Sequence, residues 1–279
     1  MNDFDWIIRK KQRAVSLLRQ HRTVLVALSG GVDSAALLAI ACEALGPDRV
    51  LAVTGRSGSV TGAEIDDARR VAQALKVRHE VVDTFELGRA EYRANTGDRC
   101  FHCRSELFAV LSALATERGI DAIAYGAIVD DLGDHRPGMD AARNMGILAP
   151  LLDAGIGKSD ERAFANEYKL HVHEKPASAC LASRIPMGTE VTIERLTQVG
   201  QAEAALRGLG FRQLRVRHHG EMARIEFGTG EVERLADPIL RAEIVRAVKD
   251  AGFRFATVDL EAYRETGLYS IGPRPEIGQ

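Results

Sequence analysis

The segment that most constrains this chain is Ser29-Gly30-Gly31-Val32-Asp33-Ser34. It follows Val24-Leu25-Val26-Ala27-Leu28, an apolar run suited to a buried parallel strand, and precedes Ala35–Leu45, a strongly helix-forming stretch. Strand, glycine turn and helix open a βαβ unit. The glycines let the backbone approach an anion closely, and the N–H groups and dipole of the first helical turn bind it. Ser29 and Ser34 add hydroxyl donors. Asp33 is placed to cap the helix and to hold Mg²⁺ on bound phosphates. The loop has neither the Gly-Lys-Ser/Thr ending of a Walker A motif nor a G-x-G-x-x-G fingerprint.

The alternation continues along the chain. A basic amphipathic helix is expected over Phe4–Leu18. Strands are expected at Val50–Thr54, His79–Val82 and Ala122–Tyr125, with helices at Ala63–Leu75 and Ser105–Arg118. This implies an α/β class: a mostly parallel sheet with helices on both faces, ligands binding at the carboxyl edge of the strands. The texture changes near Gly188. Helices at Ile193–Leu209 and Ile239–Ala251 then flank strands at Gln213–Arg217, Ala223–Phe227 and Phe255–Leu260, a smaller α+β unit. The expected domains are 1–188 and 189–279, with a mobile tail at Gly272–Gln279.

Composition closes off other classes. The 279 residues are 46% hydrophobic, which suits a packed core rather than a disordered chain. With 37 Lys+Arg against 39 Asp+Glu the net charge is −2, so no global basic field exists to hold nucleic acid. An acidic start and the absence of long apolar runs predict a soluble, cytoplasmic protein.

Four cysteines are too few for a disulfide scaffold. Cys42 sits among Ala and Leu and reads as a buried structural residue. Cys100-Phe101-His102-Cys103 is a C-x-x-C, and Cys180 lies far along in Lys175-Pro176-Ala177-Ser178-Ala179-Cys180-Leu181-Ala182-Ser183-Arg184-Ile185-Pro186. A thioredoxin-like pair lacks its βα context. Three readings stay open on spacing alone: structural zinc completed by His102, His171 or His173, a 4Fe-4S cluster with one open iron, and unliganded thiols. The loop Gly126–Gly138 carries Asp130, Asp131, Asp134 and Arg136 after a strand, which suits Mg²⁺ and phosphate handling, and Lys158 and Arg162 open the next helix within reach of polyphosphate.

The hexapeptide resembles the signature of the PP-loop superfamily, which splits ATP into AMP and pyrophosphate. Together with Asp130–Gly138, the Ala-Cys-Leu-Ala-Ser-Arg-Ile-Pro string and Arg215-Val216-Arg217-His218-His219-Gly220, almost the whole chain resembles the LarE family of ATP-dependent sulfur transferases. The resemblance implies adenylation of a carboxylate of a pyridinium-3,5-biscarboxylate mononucleotide and its conversion to a thiocarboxylate, for the nickel-pincer nucleotide of lactate racemase. It also implies a homohexamer, with free sulfide or a protein donor supplying sulfur. It casts Asp33 and Cys180 as catalytic; Ser29, Gly30, Gly31, Asp33, Ser34, Asp130, Asp131, Arg136 and Lys158 as nucleotide-binding; and Arg184, Glu203, Arg215 and Arg217 as substrate-binding. Arg215 and Arg217 alternate along a strand, so they are expected on one face as a phosphate fork braced by Glu203. Cys100 and Cys103 beside Cys180 resemble the three-cysteine branch of the family, which favours a 4Fe-4S cluster over zinc. Ile128 stands where the resemblance implies a small polar residue.

Two alternatives remain. A tRNA-thiolating PP-loop enzyme would need a basic RNA track, and a nucleotide-gated metal sensor would bind ATP without releasing pyrophosphate. Amidation of the NAD- or GMP-synthase kind gives the cysteines no task.

Overall fold

A computed structural model of the chain describes residues 3–133, 137–176, 179–261 and 263. The chain divides into two compact units, Met1–Ser178 and Ala179–Gln279, ahead of the expected division near Gly188, so that Cys180 and Arg184 fall in the second unit. The expected mobile tail, Gly272–Gln279, lies outside the described residues. Among the described residues no helix is long and apolar enough to cross a membrane.

The first unit runs α1 (Asp3–Leu18), β1 (Val24–Ala27), α2 (Val32–Leu45), β2 (Val50–Arg56), α3 (Gly62–Ala74), β3 (Arg78–Asp83), α4 (Ala90–Ala94), α5 (Arg99–Arg118), β4 (Ala122–Tyr125), α6 (Pro137–Asn144), α7 (Pro150–Asp153) and α8 (Lys158–Glu167). Its four strands are all parallel, in the order β3-β2-β1-β4. The inner strands β1 and β2 are apolar on both faces because helices cover both, whereas the edge strand β3, Arg78–Asp83, is mostly polar. Val24 and Val26 of β1 join one core with Leu18 of α1, most of α2, Val71 of α3 and Phe164 of α8. Leu25, one residue out of phase, joins the other core with Phe108 and Leu111 of α5 and Ala142 of α6. The alternation of side chains along a strand thus splits β1 between two cores.

The second unit holds α9 (Ile193–Gly208), β5 (Leu214–His219), β6 (Met222–Phe227), α10 (Pro238–Asp250) and β7 (Phe255–Val258). Its sheet is mixed: β5 and β6 pair antiparallel across Gly220, and β6 and β7 pair parallel.

The short helices α4, α6 and α7 have no counterpart in the sequence expectations. The helix expected from Ser105 starts at Arg99, so the C-x-x-C rides on α5 rather than preceding it. Asn95, left-handed at φ 55°, ends α4, and Asp98 takes the N-cap position of the next helix. Nothing in Arg99–Arg104 then breaks the helix.

Candidate functional site

The hexapeptide joins the carboxyl end of β1 to α2. Gly30 adopts φ +76°, and a Cβ there would lie 2.3 Å from the Glu64 carbonyl oxygen, so the loop lies against the first turn of α3. On its other flank Gly126, just after β4, would place a Cβ 2.8 Å from the Asp33 carbonyl carbon and the Ser34 amide. Only glycine at both positions lets the loop sit between the two neighbouring strand ends.

Hydroxyls set the shape of the loop. The Ser29 amide donates to Ser34 Oγ at 3.1 Å, the two Oγ atoms are 3.1 Å apart, Ser34 Oγ donates to the Gly31 carbonyl at 3.2 Å, and the Gly31 amide reaches Ser29 Oγ at 3.3 Å. Lys175 adds a tie from outside: its Nζ donates to the Gly30 carbonyl at 2.9 Å and to Asp67 Oδ2 at 2.6 Å. Burial would raise the Asp67 pKa, but Lys175 and His171 hold it below the ordinary carboxylate range. Lys175 opens the segment Lys175–Pro186 around Cys180, and nothing local to that segment places it on the loop.

Asp33 does not cap α2. The N-cap is Gly31, in extended conformation with no side-chain cap bond, and Asp33 lies one residue into the helix. Its carboxyl meets Glu161 of α8 instead. Glu161 is 1% exposed. Burial pushes its pKa up to about 10, and the Asp33 carboxyl beside it, hydrogen-bonded to it, pushes in the same direction. Its Oε2 is buried with no hydrogen-bond partner.

Asp130 and Asp131 shape backbone. Asp130 Oδ2 accepts the Lys158 amide at 2.8 Å, at the start of α8, and Asp131 Oδ2 accepts the Ile128 amide at 3.1 Å. Ile128 is buried in the core around α2, so its side chain is structural. Asp134 and Arg136 lie outside the described residues. On α8, Asp160 accepts the Gly157 amide at 2.9 Å and pairs with Lys10 at 2.6 Å.

Cys100 is exposed and Cys103 is half-buried, three residues apart on α5, and neither is in a disulfide. The histidines considered for zinc have other partners: His102 faces Asp98 at 3.1 Å, His171 faces Asp67 at 3.0 Å, and His173 Nδ1 lies 2.9 Å from the Leu170 carbonyl. Among the described residues no three His, Cys, Asp or Glu side chains gather to hold a metal ion. Cys42 packs against the core, and burial pushes its thiol up to about 12.

In the second unit Cys180 precedes a single 3₁₀ turn, Leu181–Arg184. Arg184 folds back over it: Nη1 donates to the carbonyls of Ala179 at 2.5 Å and Cys180 at 3.2 Å and to Ser183 Oγ at 3.0 Å. Its other face meets Glu203 of α9 through Nε at 2.8 Å and Nη2 at 3.3 Å. Glu203 also accepts Arg207 at 2.8 Å and the Val216 amide at 3.1 Å. Burial would raise its pKa, but the two arginines hold the carboxyl below its ordinary range. Glu203 therefore braces Arg184, rather than the strand pair expected from the sequence. Arg217 forks onto Glu226 at 2.8 and 3.2 Å and donates to the Ser183 carbonyl at 2.9 Å. Arg215 stacks 4.2 Å from the centre of the Tyr263 ring. Arg215 and Arg217 are 2% and 5% exposed, with Val216 between them fully buried, so β5 has no open charged face.

A parallel sheet carrying a glycine-serine anion loop at its carboxyl edge, with an acid on the following helix, defines an α/β nucleotide-binding unit of the PP-loop type. Residues 11–105 match the NAD synthase family. The chain is 34% identical over 255 residues to the pyridinium-3,5-bisthiocarboxylic acid mononucleotide synthase of Lactiplantibacillus plantarum, covering 91% of this chain and 92% of that one. It is 39% identical over 247 residues to an uncharacterised protein of Synechocystis, covering 88% and 92%. A tRNA-specific 2-thiouridylase of Rickettsia rickettsii matches at 28% over 201 residues, 59% of this chain and 54% of that one. The chain belongs to the LarE family, sulfur-transferring PP-loop enzymes of cofactor biosynthesis.

Proposed function

We propose that the chain is an ATP-dependent sulfur transferase. It activates a carboxylate of pyridinium-3,5-biscarboxylic acid mononucleotide and converts it to a thiocarboxylate, in maturation of the nickel-pincer cofactor of lactate racemase. The observation that carries this reading is the nearly end-to-end likeness to the Lactiplantibacillus plantarum synthase.

The chemistry needs two displacements. A substrate carboxylate oxygen attacks the α-phosphorus of ATP, the bond from that phosphorus to the bridging oxygen breaks, and pyrophosphate leaves with the electron pair. A sulfide nucleophile then attacks the acyl carbon, and AMP leaves. The Ser29–Ser34 loop retains pyrophosphate through backbone amides and the α2 dipole. Asp33 belongs to Mg²⁺, and the oxygen donors beside it, including the orphaned Glu161 Oε2, suit that hard cation. Held there by Asp33, Mg²⁺ would supply charge neutralisation for the leaving pyrophosphate. Asp130, Asp131, Arg136 and Lys158 are the nucleotide-binding residues in this reading, and for Arg215 and Arg217 to take the substrate phosphate it would have to draw Arg217 off Glu226. Cys180 is the sulfur-handling residue. Cys100 and Cys103 of the first unit and Cys180 of the second are soft thiolates, the donor type that a 4Fe-4S cluster takes, and the open iron of such a cluster would carry transferable sulfide. Assembly as a homohexamer in the cytoplasm completes the reading.

The test is pyrophosphate release with the pyridinium substrate. Wild type should release pyrophosphate only with that substrate present, and Asp33→Ala should lose about 10²–10³-fold while remaining folded, the scale of one transition-state charge contact. Full release by a folded Asp33→Ala protein overturns the loop assignment. Release that depends on tRNA instead would favour the thiouridylase-like reading, which the match to the Rickettsia enzyme keeps in play. Iron and sulfide analysis after anaerobic purification tests the cluster.

A further inference from the structure

We infer that Glu161 is the second protein ligand of the divalent cation at the phosphate loop, so that Asp33 and Glu161 hold the cation between them. The inference deepens the nucleotide reading above and rests on it.

The position of Glu161 on α8 is the first ground. Residues 161, 164 and 165 share one helical face, and Phe164 and Ala165 are buried in the core with α2. An apolar residue would pack there at no electrostatic cost. The chain instead places a carboxyl at 1% exposure, against a second carboxyl. A buried acid normally has a cation or a set of donors around it. Asp160, its neighbour on the same helix, shows this, with both Lys10 and the Gly157 amide donating to its Oδ2, at 2.6 and 2.9 Å. Glu161 has Asp33 as its hydrogen-bonding neighbour, Asp131 adding further negative field, Arg162 partly offsetting it, and Oε2 buried without a partner. Two acids in contact, one with an orphaned oxygen, mark the place where a positive charge belongs.

Chemistry narrows the charge to a hard divalent ion. Mg²⁺ uses one or two carboxylates and completes its shell with water and substrate phosphate oxygens. Asp33 lies in the first turn of α2, where phosphate oxygens arrive at the helix N-terminus. Asp131 is less available, because its Oδ2 accepts the Ile128 amide. The pair Asp33 and Glu161 therefore supplies the protein's share of such a shell.

The experiment uses Mn²⁺ alone as the probe, on the full-length nucleotide-free protein, read by the electron paramagnetic resonance of free Mn²⁺. Glu161→Gln keeps the shape and removes the charge, and it should weaken Mn²⁺ binding at least tenfold. Wild-type Mn²⁺ affinity in a folded Glu161→Gln protein overturns the inference. A second measurement needs no variant. Fe²⁺ placed at the site, with ascorbate and peroxide, cuts backbone beside its ligands. Cuts near both 33 and 161 are expected, and cuts near 33 without any near 161 overturn the assignment. Both readouts need only protein and metal, so a protein that fails to make thiocarboxylate yet passes them refutes the substrate and not the ligand.

Discussion

In the second unit Glu203 lies between Arg184 and Arg207, and Arg217 lies on Glu226, so acids and bases buried there face each other. In the first unit the buried Glu161 faces Asp33, an acid against an acid. The two regions bury comparable groups for different ends. Opposite charges with satisfied hydrogen bonds complete one another and need nothing from outside. Two acids sharing a proton at the carboxyl edge of a parallel sheet leave a place where a cation can take the proton's position. Charge that balances internally marks framework, and charge that does not balance marks a ligand position.

The sharpest way to break this contrast is Glu203→Ala. It would strand Arg184 as a buried cation, at a cost of about 3–5 kcal/mol. Denaturant unfolding of the variant reads the loss, and a value under about 1 kcal/mol would place the pair among ion pairs that contribute little. The mirror substitution is Glu161→Leu, which fills the same inward position without charge. In chelator, without cation, it should stabilise the protein by about 1 kcal/mol or more, since a well-packed apolar group can outperform buried charge. A destabilised Glu161→Leu protein would mean that the acid serves the framework. The smallest effect concerns His218, whose pKa burial holds below its ordinary value. The unfolded chain takes up a proton below about pH 6.5 where the folded site refuses it. The contribution is therefore fully present above that pH and is lost as pH falls. His218→Phe should flatten acid unfolding by one proton's worth, read from the unfolding midpoint against pH. An unchanged slope would show that His218 titrates normally.

The sequence made the sheet readable because its strands are short, apolar and set between helix-forming stretches, with Ser29–Ser34 fixing where β1 ends. Local pattern could not reveal that Asn95 turns left-handed and that the helix already runs at Cys100, since C-x-x-C reads the same in a loop. The ties among Ser29, Gly31 and Ser34 were legible because their neighbours in sequence are their partners in space. Glu161 and Lys175 were not, because they reach Asp33 and Gly30 across more than a hundred residues. The one local hint for Glu161 was an acid sharing a helix face with Phe164 and Ala165. The Arg215–Arg217 alternation is present on β5, but alternation alone does not say that both faces of a strand will be covered.

Arg184 grips the carbonyls of Ala179 and Cys180, not the sulfur between its own anchor and the turn. The backbone at this corner is pinned by a guanidinium that is itself fixed on Glu203. Both anchors are backbone oxygens, so replacing the Cys180 side chain would leave them in place: the wall of this corner and its sulfur are held by different atoms.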